Sequence, residues 1–398
     1  MSKKLTLPSL IFITLLITAA VVLLTAATTL DISYNESVNY FHNFNELTIL
    51  THISTYLFGP SNISLRLPFI LIYLLSIILF YKLSSKYINS NRDILISTAI
   101  FMALPGVISA SLLVNTSILV IFSVLLYIYI YNITSKHSYI LLVLFLFLDN
   151  SFAILFIALF FYSLKHKDNK LLIVSLILFG ISMQMYGFDS GGKPKGFFIE
   201  TVAIYSSIFS PFIFFYFAYS LYRTSIKGEL DLLWYISTTT LIFSILLSFR
   251  QSIPIEDFAP FVVVAIPIMV KTFLSSYRVR LPQFRIKHKI GLNIAIVILL
   301  LNSAILLINK PLYLLVENPK KHFAYKHHFA QEIATILKKN NITAVKTTNL
   351  RLQERLKFYG IKNGNRYTLY PYRVNSLDKD ITIKYYNMAL LPLFINYN

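Results

Sequence analysis

The chain has 398 residues, of which 56% are hydrophobic and 13% charged, where a soluble chain carries roughly a quarter charged residues. This excludes an ordinary soluble domain, and the absence of Cys excludes disulfides and thiolate metal sites. The net charge of +19 is spread over the links between apolar segments, which argues for contact with a lipid bilayer and against nucleic-acid binding.

Lys3-Lys4 precedes an apolar run at 7–30. The run is long for a signal peptide, and Ala19-Ala20 and Ala26-Ala27 are weak cleavage signals, so an uncleaved first helix is expected. Residues 31–66 read as an outer loop holding two amphipathic helices that lie on the membrane. Val38, Phe41, Leu47, Leu50, Ile53 and Leu57 supply their apolar faces, and Gly59-Pro60 stops the second. Spans follow at 67–83, at 93–113 with a kink at Pro105-Gly106, and at 116–132. Residues 138–164 lie between two basic flanks, Lys136 and Lys165/Lys167, so two short spans turning at Asp149-Asn150 are expected there. The remaining spans are 171–186, 197–222, 231–249, 258–275 and 289–308, about eleven in all.

Alternate links carry the cations, from Lys82/Lys86/Arg92 to the cluster Arg278, Arg280, Arg285, Lys287 and Lys289. The other links hold most acids near the membrane, among them Asp31, Glu36, Glu46, Asp149, Glu256 and Asp257. The positive-inside rule makes the basic set, and the N-terminus, cytoplasmic. The tail from Asn309 is then extracytoplasmic. It reads as helix at 328–339, strand at 342–347, helix at 350–359 ended by Gly360, and strand at 381–386. His322, His327 and His328 are expected to be exposed. The fold class is an all-α polytopic membrane protein (1–308) with a small C-terminal α/β extracytoplasmic module (309–398).

Carboxylates at a bilayer edge can coordinate a divalent cation or act as a general base. Asp31 and Glu36 stand just beyond the first span, and His42, Glu46 and His52 have a spacing that admits metal ligation. On composition alone, acids in a water-facing loop need no further explanation. On the outer face, against the positive-inside trend, Gly191-Gly192-Lys193-Pro194-Lys195-Gly196 offers flexible backbone and point charges for an anion, with Arg250 as a further cation.

Two stretches change the weight of these residues: Tyr34-Asn35-Glu36-Ser37-Val38-Asn39-Tyr40, and Tyr56-Leu57-Phe58-Gly59-Pro60-Ser61-Asn62-Ile63-Ser64-Leu65-Arg66-Leu67-Pro68-Phe69. They resemble the first loop of GT-C glycosyltransferases of the protein-mannosyltransferase-like and aminoarabinose-transferase-like kind. Asn35 stands where that pattern has its catalytic Asp, and Glu36 where it has Glu. Asn115 stands where it has an acid before the fourth helix. The stretch Phe249-Arg250-Gln251, Glu256-Asp257-Phe258-Ala259-Pro260 and Ile266-Pro267 is similar to the pattern's later Lys-, Tyr- and Pro-containing segment. The resemblance covers roughly residues 7–275 and is most specific at 55–80.

It implies a GT-C fold in a bacterial inner membrane and a polyprenyl-phosphate-linked sugar as donor, with a glycolipid, polysaccharide or protein acceptor. Asp31 and Glu36 are the implied catalytic acids. Asn35, Asn115, Lys193, Lys195, Arg250 and Asp257 are the implied substrate contacts, and a divalent metal is an open cofactor. Two other classes remain. A lipid-linked-sugar transporter should show paired half-repeats and mid-helix charges. A catalytically silent relative serving as a scaffold or binding subunit is favoured by Asn35 and Asn115, since an amide takes no proton.

Overall fold

The structure, a computed structural model, describes residues 7–187, 196–373, 379–385 and 388–397. It is mainly helical, and its helices fall where the apolar segments are. The first, α1 (Leu7–Thr29), carries no charged residue. The next, α2 (Tyr34–Phe41), begins in a capping box: Ser33 Oγ accepts from the Glu36 backbone N–H, and Glu36 Oε2 accepts from that of Ser33. Then α3 (Glu46–Phe58) starts at Asn45, whose side chain accepts from Thr48 N–H, and stops at Gly59, whose φ of 77° suits glycine. In α4 (Asn62–Tyr87), Pro68 has no N–H to offer the carbonyl four residues back. That carbonyl, Ser64 O, accepts instead from Ser54 Oγ of α3 at 2.6 Å.

The third expected span is broken at Leu104-Pro105 into α5 (Asn91–Ala103) and α6 (Pro105–Leu112), bent by 56°. A Cβ added at Gly106 would overlap Ile208 on a neighbouring helix. Gly106→Val should therefore destabilise the protein by about 1–3 kcal/mol through overpacking, read as a lowered thermal midpoint. After α7 (Ser117–Thr134), residues 138–164 form two short helices, α8 (Tyr139–Leu148) and α9 (Phe152–His166). Asp149 holds the turn between them, accepting from Ser151 N–H. Asp168 then caps α10 (Asn169–Tyr186).

Residues 197–222, expected as one span, are instead two helices, α11 (Phe198–Phe209) and α12 (Pro211–Lys227), bent by 103°. Pro211 cannot extend the preceding helix but suits the first position of a new one, and Ser210 between them takes φ 74°. Asp231 caps α13 (Leu232–Ser248). A pair bent by 46° follows, α14 (Ile255–Val263) and α15 (Ile266–Val279), and then α16 (Pro282–Leu307). Among the described residues, five helices are long and apolar enough to cross a membrane, or up to eight if each bent pair is one span. The helices α8, α9 and α13, with 10, 15 and 17 residues, are shorter than a straight crossing requires.

Among the described residues the tail holds α17 (Ala330–Lys339) and α18 (Leu350–Phe358) with six short strands: β1 (Lys346–Thr347), β2 (Tyr367–Tyr370), β3 (Lys379–Asp380), β4 (Ile383–Tyr385), β5 (Met388–Leu391) and β6 (Phe394–Tyr397). One sheet has the order β1-β2-β6-β3, with β1 parallel to β2 and the other pairs antiparallel; β4 and β5 form a separate pair. By its contacts the chain divides into two compact units, Met1–Ala20 with Phe69–Leu306 and Val21–Pro68 with Leu307–Asn398. The second unit thus joins the first loop to the tail.

Candidate functional site

In the second unit, the residues just after α1 are held from several sides. Asp31 is buried. Its Oδ1 accepts from Asn62 Nδ2 (3.2 Å) and its Oδ2 from Gln331 N–H (2.9 Å), in the first turn of α17. A carboxylate suits a helix N-terminus because unpaired N–H groups converge there. Asn62 also receives the Tyr359 hydroxyl on its Oδ1 (2.5 Å), and Tyr359 OH accepts from Ile32 N–H (3.1 Å). Arg355 of α18 donates to the Ile32 carbonyl and to the His328 carbonyl, both at 2.7 Å.

Arg66 is fully buried. One of its nitrogens donates to the Asp31 carbonyl (2.9 Å) and lies 3.4 Å from Glu36 Oε2. His327 Nδ1 is 3.5 Å from the same carboxylate oxygen. The structure therefore brings Asp31 and Glu36 together through Arg66, of the Arg66-Leu67-Pro68 stretch. Their titrations diverge. Burial raises the Asp31 carboxyl, and the Gln331 N–H, Arg355 and Asn62 offset this only in part. Burial alone would raise Glu36 too, but Arg66, the His327 ring and the Ser33 N–H hold it well below the usual carboxylate range. Asp31 is thus the more basic of the two, and Glu36 a fixed anion. Asn35, on α2, is exposed.

In the first unit, a cavity of about 400 Å³ lies among Gly106, Ser109, Asn115, Ser117, Pro254 and Glu256, with apolar side chains completing it. Asn115 Oδ1 accepts from Ser117 N–H (3.2 Å), and Ser117 Oγ donates to the Glu256 carbonyl (3.3 Å). The cavity joins the element before α7 to the start of α14, two stretches more than a hundred residues apart in sequence. Among the described residues Glu256 is the one carboxylate that lines it. The sequence reading favoured Asp257, which is half-buried next to it, with Asp149 also within electrostatic reach. Arg250 is exposed in the turn after α13 and does not line the cavity. Lys193 and Lys195 lie outside the described residues.

No group of three His, Asp or Glu side chains among the described residues is arranged to hold a metal ion. His42 contacts Glu354 (3.1 Å) and His52 the Tyr40 carbonyl (2.8 Å), so they do not converge with Glu46. Nor are the tail histidines exposed as expected: His322 and His328 are buried around Tyr313 and Asn309. Tyr313 OH pairs with His328 Nδ1 (2.9 Å), and His328 Nε2 with Asn309 Oδ1 (3.1 Å), which suits a neutral imidazole. Their aromatic neighbours account for the difference, with Tyr313 stacked on His322.

Burial, with Lys310 and the other histidines adding to it, lowers His328 from 6.5 to about 3. The unfolded chain takes up this proton below about pH 6.5 and the folded chain does not. His328 should therefore destabilise the fold as pH falls from about 6.5 towards 3, by roughly 2 kcal/mol at pH 5. His328→Gln should flatten the thermal midpoint over that range, and an unchanged slope would show that His328 is not the group responsible.

No protein-family model and no curated protein sequence matches the chain. Solved structures do. ArnT from Cupriavidus metallidurans bound to undecaprenyl phosphate superposes with a TM-score of 0.53 at 12% identity, covering 89% of this chain and 84% of that one. The same protein in the apo state gives 0.53 and 12%, with 88% and 84% covered. The chain is a multi-pass membrane protein with an ArnT-like fold.

Proposed function

We propose that this chain is a glycosyltransferase of a bacterial inner membrane that moves a sugar from a polyprenyl-phosphate donor to an extracytoplasmic glycan, lipid or protein acceptor. The observation that carries the reading is the likeness to ArnT across most of both chains, that enzyme having been solved with undecaprenyl phosphate. The first-loop and Arg-Leu-Pro elements support it, since they meet at the Glu36–Arg66 contact. In this reading Asp31 or Glu36 supplies the general base, and the raised basicity of Asp31 favours Asp31. Asn35, Asn115 and Asp257 contact the sugar or acceptor, and Lys193, Lys195 and Arg250 hold the leaving phosphate.

The test of the donor class is binding of undecaprenyl phosphate to the purified protein. Replacing Lys193, Lys195 and Arg250 together by Ala should weaken it at least tenfold, each lost cation near the membrane surface being worth about 1 kcal/mol. Unchanged binding in the folded triple variant removes these residues from the site. The orientation is tested by a reporter fused after Asn398, which should be active only outside the cytoplasm.

A second reading, a silent relative acting as a binding subunit, is favoured by one observation. Both oxygens of Asp31 and the Oε2 of Glu36 are committed to buried hydrogen bonds, while the exposed Asn35, in the first turn of α2, is an amide. In that reading the chain binds the lipid-linked sugar without turning it over.

A further inference from the structure

The first unit contains a second cavity, of about 410 Å³, that shares no residue with the one at Asn115. Its walls are apolar, with Ile100, Ile213, Met269, Phe273 and Leu292 among them. It runs beneath α16, most of whose surface is exposed. At one end the lining changes character to Lys287 and His288. Arg280 lies in the turn between α15 and α16, two residues before α16 begins, and so stands at the same end. The turn that presents it is fixed by Arg285, which donates to the carbonyls of Arg280 (2.8 Å) and Arg278 (3.0 Å). Arg278 itself is paired with Asp93. Among the described residues no carboxylate lines the cavity.

We propose that this cavity binds one anionic phospholipid of the bilayer, an acyl chain lying under α16 and the phosphate meeting Lys287, Arg280 and His288. Charge decides the headgroup: basic pockets between membrane helices attract anionic lipid, and a zwitterionic headgroup gains little from three cationic or protonatable groups. Length decides the chain. From Lys287 to Ile296 the helix rises ~14 Å, close to the ~15 Å depth of one leaflet's hydrocarbon. That fits one acyl chain and falls short of a polyprenyl chain several times longer. Small side chains make the room: a Cβ at Gly291 would meet nothing within 4 Å, and Ala295 lines the cavity one turn further on. The site holds whether or not the chain transfers a sugar.

The test is native mass spectrometry of the purified full chain with dioleoyl phosphatidylglycerol, dioleoyl phosphatidylcholine or undecaprenyl phosphate added. One phosphatidylglycerol should stay bound under conditions that strip phosphatidylcholine. Arg280→Gln with Lys287→Gln, both on exposed residues, should weaken it about thirtyfold, two surface charges each contributing roughly a factor of five. Ala295→Phe should exclude it by filling the cavity, with the thermal midpoint in lipid-free detergent reporting that the variant is folded. Equal retention of phosphatidylcholine overturns the proposal. So does undecaprenyl phosphate displacing the phosphatidylglycerol, or unaltered phosphatidylglycerol binding by the charge variant.

Discussion

Arg66→Ala should destabilise the protein by about 3–5 kcal/mol, the usual effect of removing one partner from a buried ion pair. Arg66 is fully buried, it contacts both the Asp31 carbonyl and Glu36, and its loss leaves the Glu36 carboxylate without its principal countercharge. The pH dependence identifies the mechanism. In the wild type, Glu36 is held below its ordinary 4.5, so the stability it contributes is present above about pH 4.5 and is lost as pH falls below it. In Arg66→Ala, burial is less opposed and the carboxyl rises. The variant should then gain stability relative to wild type as pH falls. Adding Glu36→Gln should recover part of the loss at neutral pH. Thermal midpoints of the three proteins between pH 4 and 8 check this. Parallel curves for wild type and Arg66→Ala would mean that Glu36 is not the group Arg66 compensates.

Asp31→Asn should reduce turnover of a lipid-linked sugar by about a hundred- to ten-thousand-fold, the range for loss of a general base. Its effect on stability is opposite in sign to that of Arg66→Ala. Because burial raises the Asp31 carboxyl, its contribution to stability is greatest when it is protonated and declines as pH rises through its folded value. A neutral Asn therefore removes a buried charge at neutral pH, although it sets an amide against the Gln331 N–H or the Asn62 side chain. Lost turnover with a thermal midpoint near wild type assigns the base. Full turnover moves it elsewhere, and Glu256, the carboxylate lining the Asn115 cavity, is the next residue to replace.

The membrane segments were legible because helix length and apolarity are local properties, and even the two short helices at 138–164 followed from the placement of Lys136, Lys165 and Lys167. The start of α2 carried a local signal that the sequence reading did not use, the capping-box spacing of Ser33 and Glu36. The 103° bend at Ser210 had a signal in the Ser-Pro pair, which disfavours helix at the residue before Pro211, but the apolar run concealed it. Local pattern carried no sign that Arg355 and Tyr359, some 320 residues downstream, reach the residues around Asp31. The same holds for β2 and β6, which pair with each other across a gap of more than twenty residues. Arg66 was visible as part of an Arg-Leu-Pro motif, but its partner could be identified only once the chain was folded. The buried tail histidines were misread because polarity was taken for exposure, when Tyr313 and Asn309 supply their contacts.

The most direct measurement is transfer from a labelled polyprenyl-phosphate sugar by the purified full chain in nanodiscs, with polyprenyl phosphate release and sugar transfer followed together. The account predicts that wild type releases one polyprenyl phosphate for each sugar transferred and that Asp31→Asn with Glu36→Gln abolishes both. Donor binding without release by wild type, with release appearing in Asn35→Asp, would contradict it and establish the chain as a silent relative.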